Sequence, residues 1–232
     1  MNISIEYTEI NKIPAIKWGA FTGKTILAIH GFMSHKADTD IRMLAEHATH
    51  KGYQVVSIDL PEHGDRKDGV KLNPWICTED LRVVYDTLMA EPTEISLFGC
   101  SIGAYMSMIA LADRDVAHSF FLSPVVNMQF LIESMMGAFN ITSEHLQNEK
   151  HISLSNGQFL DWDYYSYVCA HPICWSTPTD ILWGFEDNLM PEAVIDQFSA
   201  KCSACVTKVN SEHFFHTPEQ LALYTGWLND RV

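Results

Sequence analysis

The chain has 232 residues, 47% of them hydrophobic, which suits one sizeable core and is thin for two separate domains. Fifteen Lys and Arg against 29 Asp and Glu leave a formal net charge of −14. Such a field repels phosphate backbones and anionic bilayers, so nucleic-acid and membrane-surface partners are disfavoured and a small-molecule partner is expected.

No run of about 18 apolar residues is present to span a bilayer, and the opening MNISIEYTEINKIPAIKWGA lacks the basic-then-apolar order of a secretory signal. A cytoplasmic protein is expected. Cys77, Cys100, Cys169, Cys174, Cys202 and Cys205 are then read as free thiols, because a chain of this size folds without cross-links. Asn2-Ile-Ser4 and Asn140-Ile-Thr142 match the glycosylation pattern but carry no weight without such a signal.

Along the chain, short apolar runs rich in β-branched residues alternate with helical periodicity. Residues 25–29 read as a strand, and Ile41, Leu44, Ala45 and Ala48 as the buried face of a helix. Residues 53–58 read as the next strand. Leu81, Val84, Tyr85 and Leu88 then fall at i, i+3, i+4 and i+7 behind Thr78 as N-cap. Further strands are expected at 95–98, 119–122, 180–183 and 205–209. Their near-continuous hydrophobicity, without strict alternation, is what strands covered on both faces require, so a mostly parallel sheet flanked by helices follows. Thr217-Pro218-Glu219-Gln220 combines an N-cap, a proline in the first turn and a capping-box Gln, opening a last helix through Leu221, Tyr224 and Leu228.

Residues 127–178 break this rhythm. Met128 to Phe139 has helical character, and Asn156-Gly157 lies between residues 151–155 and 158–162 as a hairpin turn. An insertion of roughly 50 residues inside one compact domain is unusual unless it serves as a lid or binding element, so the segment is read as a small cap on a single domain.

Gly99-Cys100-Ser101-Ile102-Gly103 directly follows one expected strand and precedes a helical run from Ala104. This is the G-x-S-x-G pattern in its strand-turn-helix setting, where a sharp turn exposes the serine and side chains two positions to either side would collide unless they were glycine. The strands of a parallel sheet point one way, so the segments just after them land on one rim. His30, Asp59, Ser101, Asp187 and His213 all occupy such segments.

Four further motifs accompany the elbow: His30-Gly31-Phe32, Asp59-Leu-Pro-Glu-His63-Gly64, Gly184-Phe-Glu-Asp187 and Glu212-His213-Phe214-Phe215. With them the sequence resembles the α/β-hydrolases, in particular their compact bacterial serine esterases and peptidase-like relatives, over about residues 24–228. Where that family often has D-x-x-G-H-G, Glu62 replaces a glycine. The resemblance implies the α/β-hydrolase fold, with a mostly parallel central sheet, helices on both faces and a small cap insertion.

A serine hydroxyl needs a base to take its proton and a carboxylate to hold that base in the correct tautomer. His213 is the expected base, with His216 as rival, and Asp187 the expected acid, favoured by the resemblance over Glu186 and Asp163. The oxyanion is expected to receive the Ile102 backbone N–H at a helix N-terminus, and the resemblance implies the Phe32 N–H as second donor, with Met33 as fallback. His30 is read as a structural hydrogen-bonding residue. In the cap, Met128, Phe130 and Leu131 are candidate substrate contacts, among a wider set of cap aromatics and methionines.

The expected activity is cleavage of a carboxylic ester through an acyl-enzyme on Ser101. A thioesterase or small peptidase would use the same residues, and a non-catalytic receptor on the same fold is the alternative of another class. No cofactor is expected, because neither G-x-G-x-x-G nor G-x-x-x-x-G-K-S/T occurs. No metal is expected either: the spacing of Cys202 and Cys205 from His213 and His216 misses the zinc-finger pattern.

Overall fold

A computed structural model describes residues 3–232, leaving Asn2 of the first glycosylation pattern outside the described residues. The described chain opens on an antiparallel hairpin, β1 (Ile5–Ile10) and β2 (Ile13–Trp18), turned through Asn11 and Lys12 at φ 50° and 68°. In β3 (Lys24–Ile29), Leu27 and Ile29 join the core on one side of the sheet and Ile26 and Ala28 the core on the other. That two-sided burial is why the run is apolar throughout. Next, α1 (Thr39–His50) buries Ile41, Leu44, Ala45 and Ala48, and β4 (Gln54–Ile58) follows.

α2 (Pro74–Leu88) begins a full turn earlier than the periodicity around Thr78 indicates. The Asn73 side chain accepts the Ile76 N–H at 2.9 Å and Pro74 occupies the first turn, so an Asn-Pro start overrides the Thr78 cap. Thr78 instead lies inside the helix, where its hydroxyl donates to the Pro74 carbonyl. β5 (Glu94–Cys100), α3 (Ile102–Leu111) and β6 (Ser119–Leu122) continue the alternation.

Between β6 and the next sheet strand lie α4 (Met128–Ala138), α5 (Ser143–Glu149), the paired strands β7 (His151–Ser153) and β8 (Phe159–Asp161), and α6 (Trp162–Ala170). The hairpin turns through Ser155, Asn156 and Gly157, a three-residue loop with only Gly157 at positive φ (83°), not the two-residue turn with both positions positive that Asn-Gly favours. Its second strand is shorter than expected: Asp161 accepts the Tyr164 N–H and draws Trp162 into α6. The chain closes with β9 (Thr179–Gly184), α7 (Glu192–Cys202), β10 (Cys205–Val209) and α8 (Pro218–Arg231), which carries the expected Thr217–Gln220 capping box.

The main sheet has eight strands in the order β1-β2-β4-β3-β5-β6-β9-β10. β1 and β2 run antiparallel to their neighbours and the other contacts are parallel. Helices α2, α3 and α7 pack on one face, and α1 and α8 on the other. The chain leaves β3 for β4 on one side and returns to β5 on the other, so the loops after β3 and β5 diverge at a switch point. In open α/β sheets that is where ligand crevices form. No helix among the described residues is long and apolar enough to cross a membrane.

Candidate active site

Ser101 occupies the turn between β5 and α3 at φ 51° and ψ −117°, a region costing a non-glycine residue about 1–3 kcal/mol. The surroundings enforce it. A Cβ on Gly99 would lie 2.6 Å from the Ala104 Cα, and one on Gly103 would overlap the Ile29 and His30 carbonyl oxygens. Two backbone bonds clamp the elbow to the end of β6, with Ser101 N–H donating to the Leu122 carbonyl and Val125 N–H to the Ser101 carbonyl.

The loops after β9 and β10 are locked together. Glu186 N–H donates to the Ser211 carbonyl, and a Cβ on Gly184 would overlap that same oxygen. The Asp187 side chain is fully buried; its Oδ1 accepts the N–H groups of Leu189 and Met190 at 2.8 and 3.0 Å, and its Oδ2 stands 2.7 Å from His213 Nδ1. A carboxylate only accepts, so Nδ1 carries the proton and Nε2 presents a lone pair. That nitrogen lies 2.8 Å from Ser101 Oγ, whose hydroxyl donates to it. The structure therefore brings Ser101, His213 and Asp187 into one hydrogen-bonded row.

The alternatives sit elsewhere. His216 is exposed, stacks on Phe214 at 5.1 Å and donates to that residue's carbonyl. Glu186 is exposed, and Asp163 is exposed in the first turn of α6. Cys100 is half-buried and packs against the core on the α1 and α8 side, and its thiol is pushed well up by burial and by the Asp40 carboxylate it contacts. It stays a neutral thiol.

The loop after β3 lies against the elbow: a Cβ on Gly31 would stand 3.5 Å from the Ser101 Cβ. Neither the Phe32 nor the Ile102 backbone N–H has a hydrogen-bond partner among the described residues. The Met33 N–H, by contrast, donates to His63 Nε2 at 3.0 Å. His30 is fully buried; its Nδ1–H donates to the Gly31 carbonyl and its Nε2 accepts the Leu60 N–H. Burial lowers its pKa to about 4, so it stays neutral.

The sequence reading gave His63 no role. The signal was available in its place beside Gly64, within the Asp59 motif. Asp59, also on the rim, is fully buried; it accepts the Lys36 N–H, the Lys36 ammonium and the Asp65 N–H, tying the loops after β3 and β4 together.

Of the cap residues, Met128 is buried, and Phe130 and Leu131 are half-buried. Met128 lines a cavity of about 240 Å³ with Tyr105, Val168, Ile173 and Phe198, to which Phe130 and Leu131 do not contribute. Cys202 is buried at the end of α7, while Cys205 is exposed at the start of β10.

No curated protein matches the chain significantly. Among solved structures, Est1E from Butyrivibrio proteoclasticus with ferulic acid bound superposes with a TM-score of 0.73 at 18% identity, covering 97% of this chain and 96% of that one. Alpha/beta hydrolase domain-containing protein 10 from mouse gives 0.76 at 13% identity, covering 98% and 97%. The esterase Pf2001 from Pyrococcus furiosus gives 0.70 at 16%, covering 98% and 89%. A family model described as the alpha/beta hydrolase family matches residues 26–218, spanning the elbow and the loops that carry Asp187 and His213, and the chain belongs to that family.

Proposed function

We propose that this hydrolase is a serine esterase that cleaves carboxylic esters of small, uncharged, apolar or aromatic acids through an acyl-enzyme on Ser101. The observation that carries the reading is the pair of contacts made by His213, 2.8 Å to Ser101 Oγ and 2.7 Å to Asp187 Oδ2. Ser101 Oγ attacks the ester carbonyl carbon while its proton passes to His213 Nε2. The carbonyl oxygen takes the negative charge and receives the free N–H groups of Phe32 and Ile102, the latter at a helix N-terminus. Collapse returns that proton to the departing alcohol and leaves the acyl group on Ser101. Water, deprotonated by His213, then releases the acid.

The preference for apolar, uncharged substrates has its own support. Phe32, Phe185 and Phe214 are 57%, 56% and 66% exposed on the loops that follow β3, β9 and β10. Exposed aromatics gathered on one rim suit an apolar ligand, and a net charge of −14 disfavours an anionic one. A cytoplasmic setting belongs to the same reading.

A fluorophosphonate probe followed by p-nitrophenyl esters of increasing chain length tests the proposal. The native protein should label and turn over the neutral esters, and Ser101→Ala should do neither. Labelling that survives in Ser101→Ala would place the nucleophile elsewhere.

A further inference from the structure

We propose that His63 is a positioning residue: by accepting the Met33 N–H it holds the turn after β3 so that the Phe32 N–H faces the scissile carbonyl. This rests on the serine-hydrolase reading above and adds to it a part for a loop that touches none of the reacting atoms.

The loops after β3 and β4 are joined by a reciprocal pair of bonds. Leu60 N–H donates to His30 Nε2, and Met33 N–H donates to His63 Nε2, both at 3.0 Å. In each ring the other nitrogen donates to a nearby carbonyl, that of Gly31 for His30 and that of Pro61 for His63, each at 2.7 Å. Both tautomers are thereby fixed with Nε2 as acceptor. The rings lie 5.1 Å apart, and the Phe32 ring meets His63 edge-on at 5.5 Å.

Met33 needs this acceptor. It sits at φ 62°, a left-handed conformation unfavourable for a residue with a long side chain, and that side chain is 85% exposed. Packing therefore contributes little to holding it, and its N–H bond to His63 at 3.0 Å is the shorter of two restraints on the turn, the other being the Ser34 N–H to the Gly31 carbonyl at 3.4 Å. The Phe32 N–H belongs to the adjacent peptide plane, so relaxation of Met33 re-aims it. The same bond withdraws the Met33 N–H from the crevice, leaving Phe32 as the donor from this loop.

His63 stands on a rigid base. It is 8% exposed, and the loop around it is closed by Asp59, which accepts from Lys36 and Asp65. Gly64, at φ 52°, lies where a Cβ would overlap the Asp59 carboxylate. Arg66 adds ion pairs to Asp68 and Asp80. The latch can thus transmit a fixed geometry from β4 to the oxyanion loop.

The test uses steady-state kinetics on p-nitrophenyl acetate with the native enzyme, His63→Ala and His63→Gln. Because a misplacement of about 1 Å at such a site can cost about 100-fold, His63→Ala should lower kcat by roughly 10- to 100-fold. KM should stay within about twofold, since the lost interaction acts in the transition state. A glutamine Oε1 reaches close to the position of Nε2 and can only accept, so His63→Gln should recover most of kcat. An unchanged kcat in His63→Ala, or a loss that glutamine does not restore, overturns the latch. It would leave the esterase reading standing if the native enzyme turns over and Ser101→Ala does not. Amide exchange in the native protein gives a second readout that survives misfolding of the alanine variant: a protected Met33 N–H with His63 in its Nδ1–H form supports the latch, and a freely exchanging Met33 N–H overturns it.

Discussion

His213 and Ser101 are separated by 112 positions in sequence and by 2.8 Å between Nε2 and Oγ. The contact exists because β5 and β10 end on the same rim of a parallel sheet, while the buried carboxylate of Asp187 orients the imidazole from behind. Replacing His213 with alanine should lower the kcat for ester hydrolysis by about 10⁴-fold or more. His216→Ala should retain most of it, because that ring is exposed and bonded to the Phe214 carbonyl. Initial rates on a p-nitrophenyl ester decide the matter, and the reverse pattern would reassign the base.

Asp187 does two jobs with its two oxygens, and one substitution separates them. Asparagine keeps an oxygen to accept the N–H groups of Leu189 and Met190 but puts an NH₂ group where Oδ2 faces His213. The ring must then accept at Nδ1 and carry its proton on Nε2, the wrong tautomer for receiving one from Ser101. Asp187→Asn should therefore melt close to the native temperature while kcat falls by about 10⁴-fold. A large drop in melting temperature would mean that the charge, and not the tautomer, is what the loop requires.

The inner strands were legible because their near-continuous apolar runs, as in β3, reflect two-sided burial, and the elbow because its two glycines are sterically obligatory. His213 could be named from its place on the rim, and Asp187 from the resemblance to the α/β-hydrolases. The β1–β2 hairpin went unread because its Asn11-Lys12 turn lacks glycine. Thr78 misled because helical periodicity locates a buried face and leaves the helix start open, which Asn73 and Pro74 set. His63 stood beside Gly64 in the Asp59 motif, yet its partner could not be read there, because its acceptor role depends on a backbone N–H thirty residues away.

Gly184 and Gly226 make opposite predictions from the same substitution. A Cβ on Gly184 would collide with the Ser211 carbonyl oxygen, a backbone atom of the loop that presents His213, whereas one on Gly226, within α8, meets nothing within 4 Å. Gly184→Ala should destabilise the protein by about 1–3 kcal/mol through overpacking and also lower kcat by parting the two loops. Gly226→Ala should stabilise it by up to about 1 kcal/mol, the ordinary gain in helix propensity. Urea unfolding of both variants against the native chain supplies the comparison. Destabilisation by Gly226→Ala, or none by Gly184→Ala, would contradict the packing described here.

His30 gives the fold a pH dependence whose sign follows from its burial. Desolvation, opposed in part by the Gly31 carbonyl, lowers its pKa from 6.5 to about 4. Between those two values the unfolded chain binds a proton at this imidazole and the folded chain does not, so stability falls as pH drops through that window and is fully present above it. The full contribution is of the order of 3 kcal/mol, most of it lost between pH 6.5 and 4. The buried Asp40 carboxyl, raised to about 6, acts with the opposite sign in the same range, so the His30 contribution is read as a difference: the urea midpoint of the native protein should fall relative to that of His30→Gln from pH 7.5 to pH 5. Imidazole resonances of His30 that stay neutral down to pH 5 would agree. Titration near 6.5 would show that Nε2 does not hold the Leu60 N–H in solution, and the reciprocal bonds between the loops after β3 and β4 would lose one of their two members.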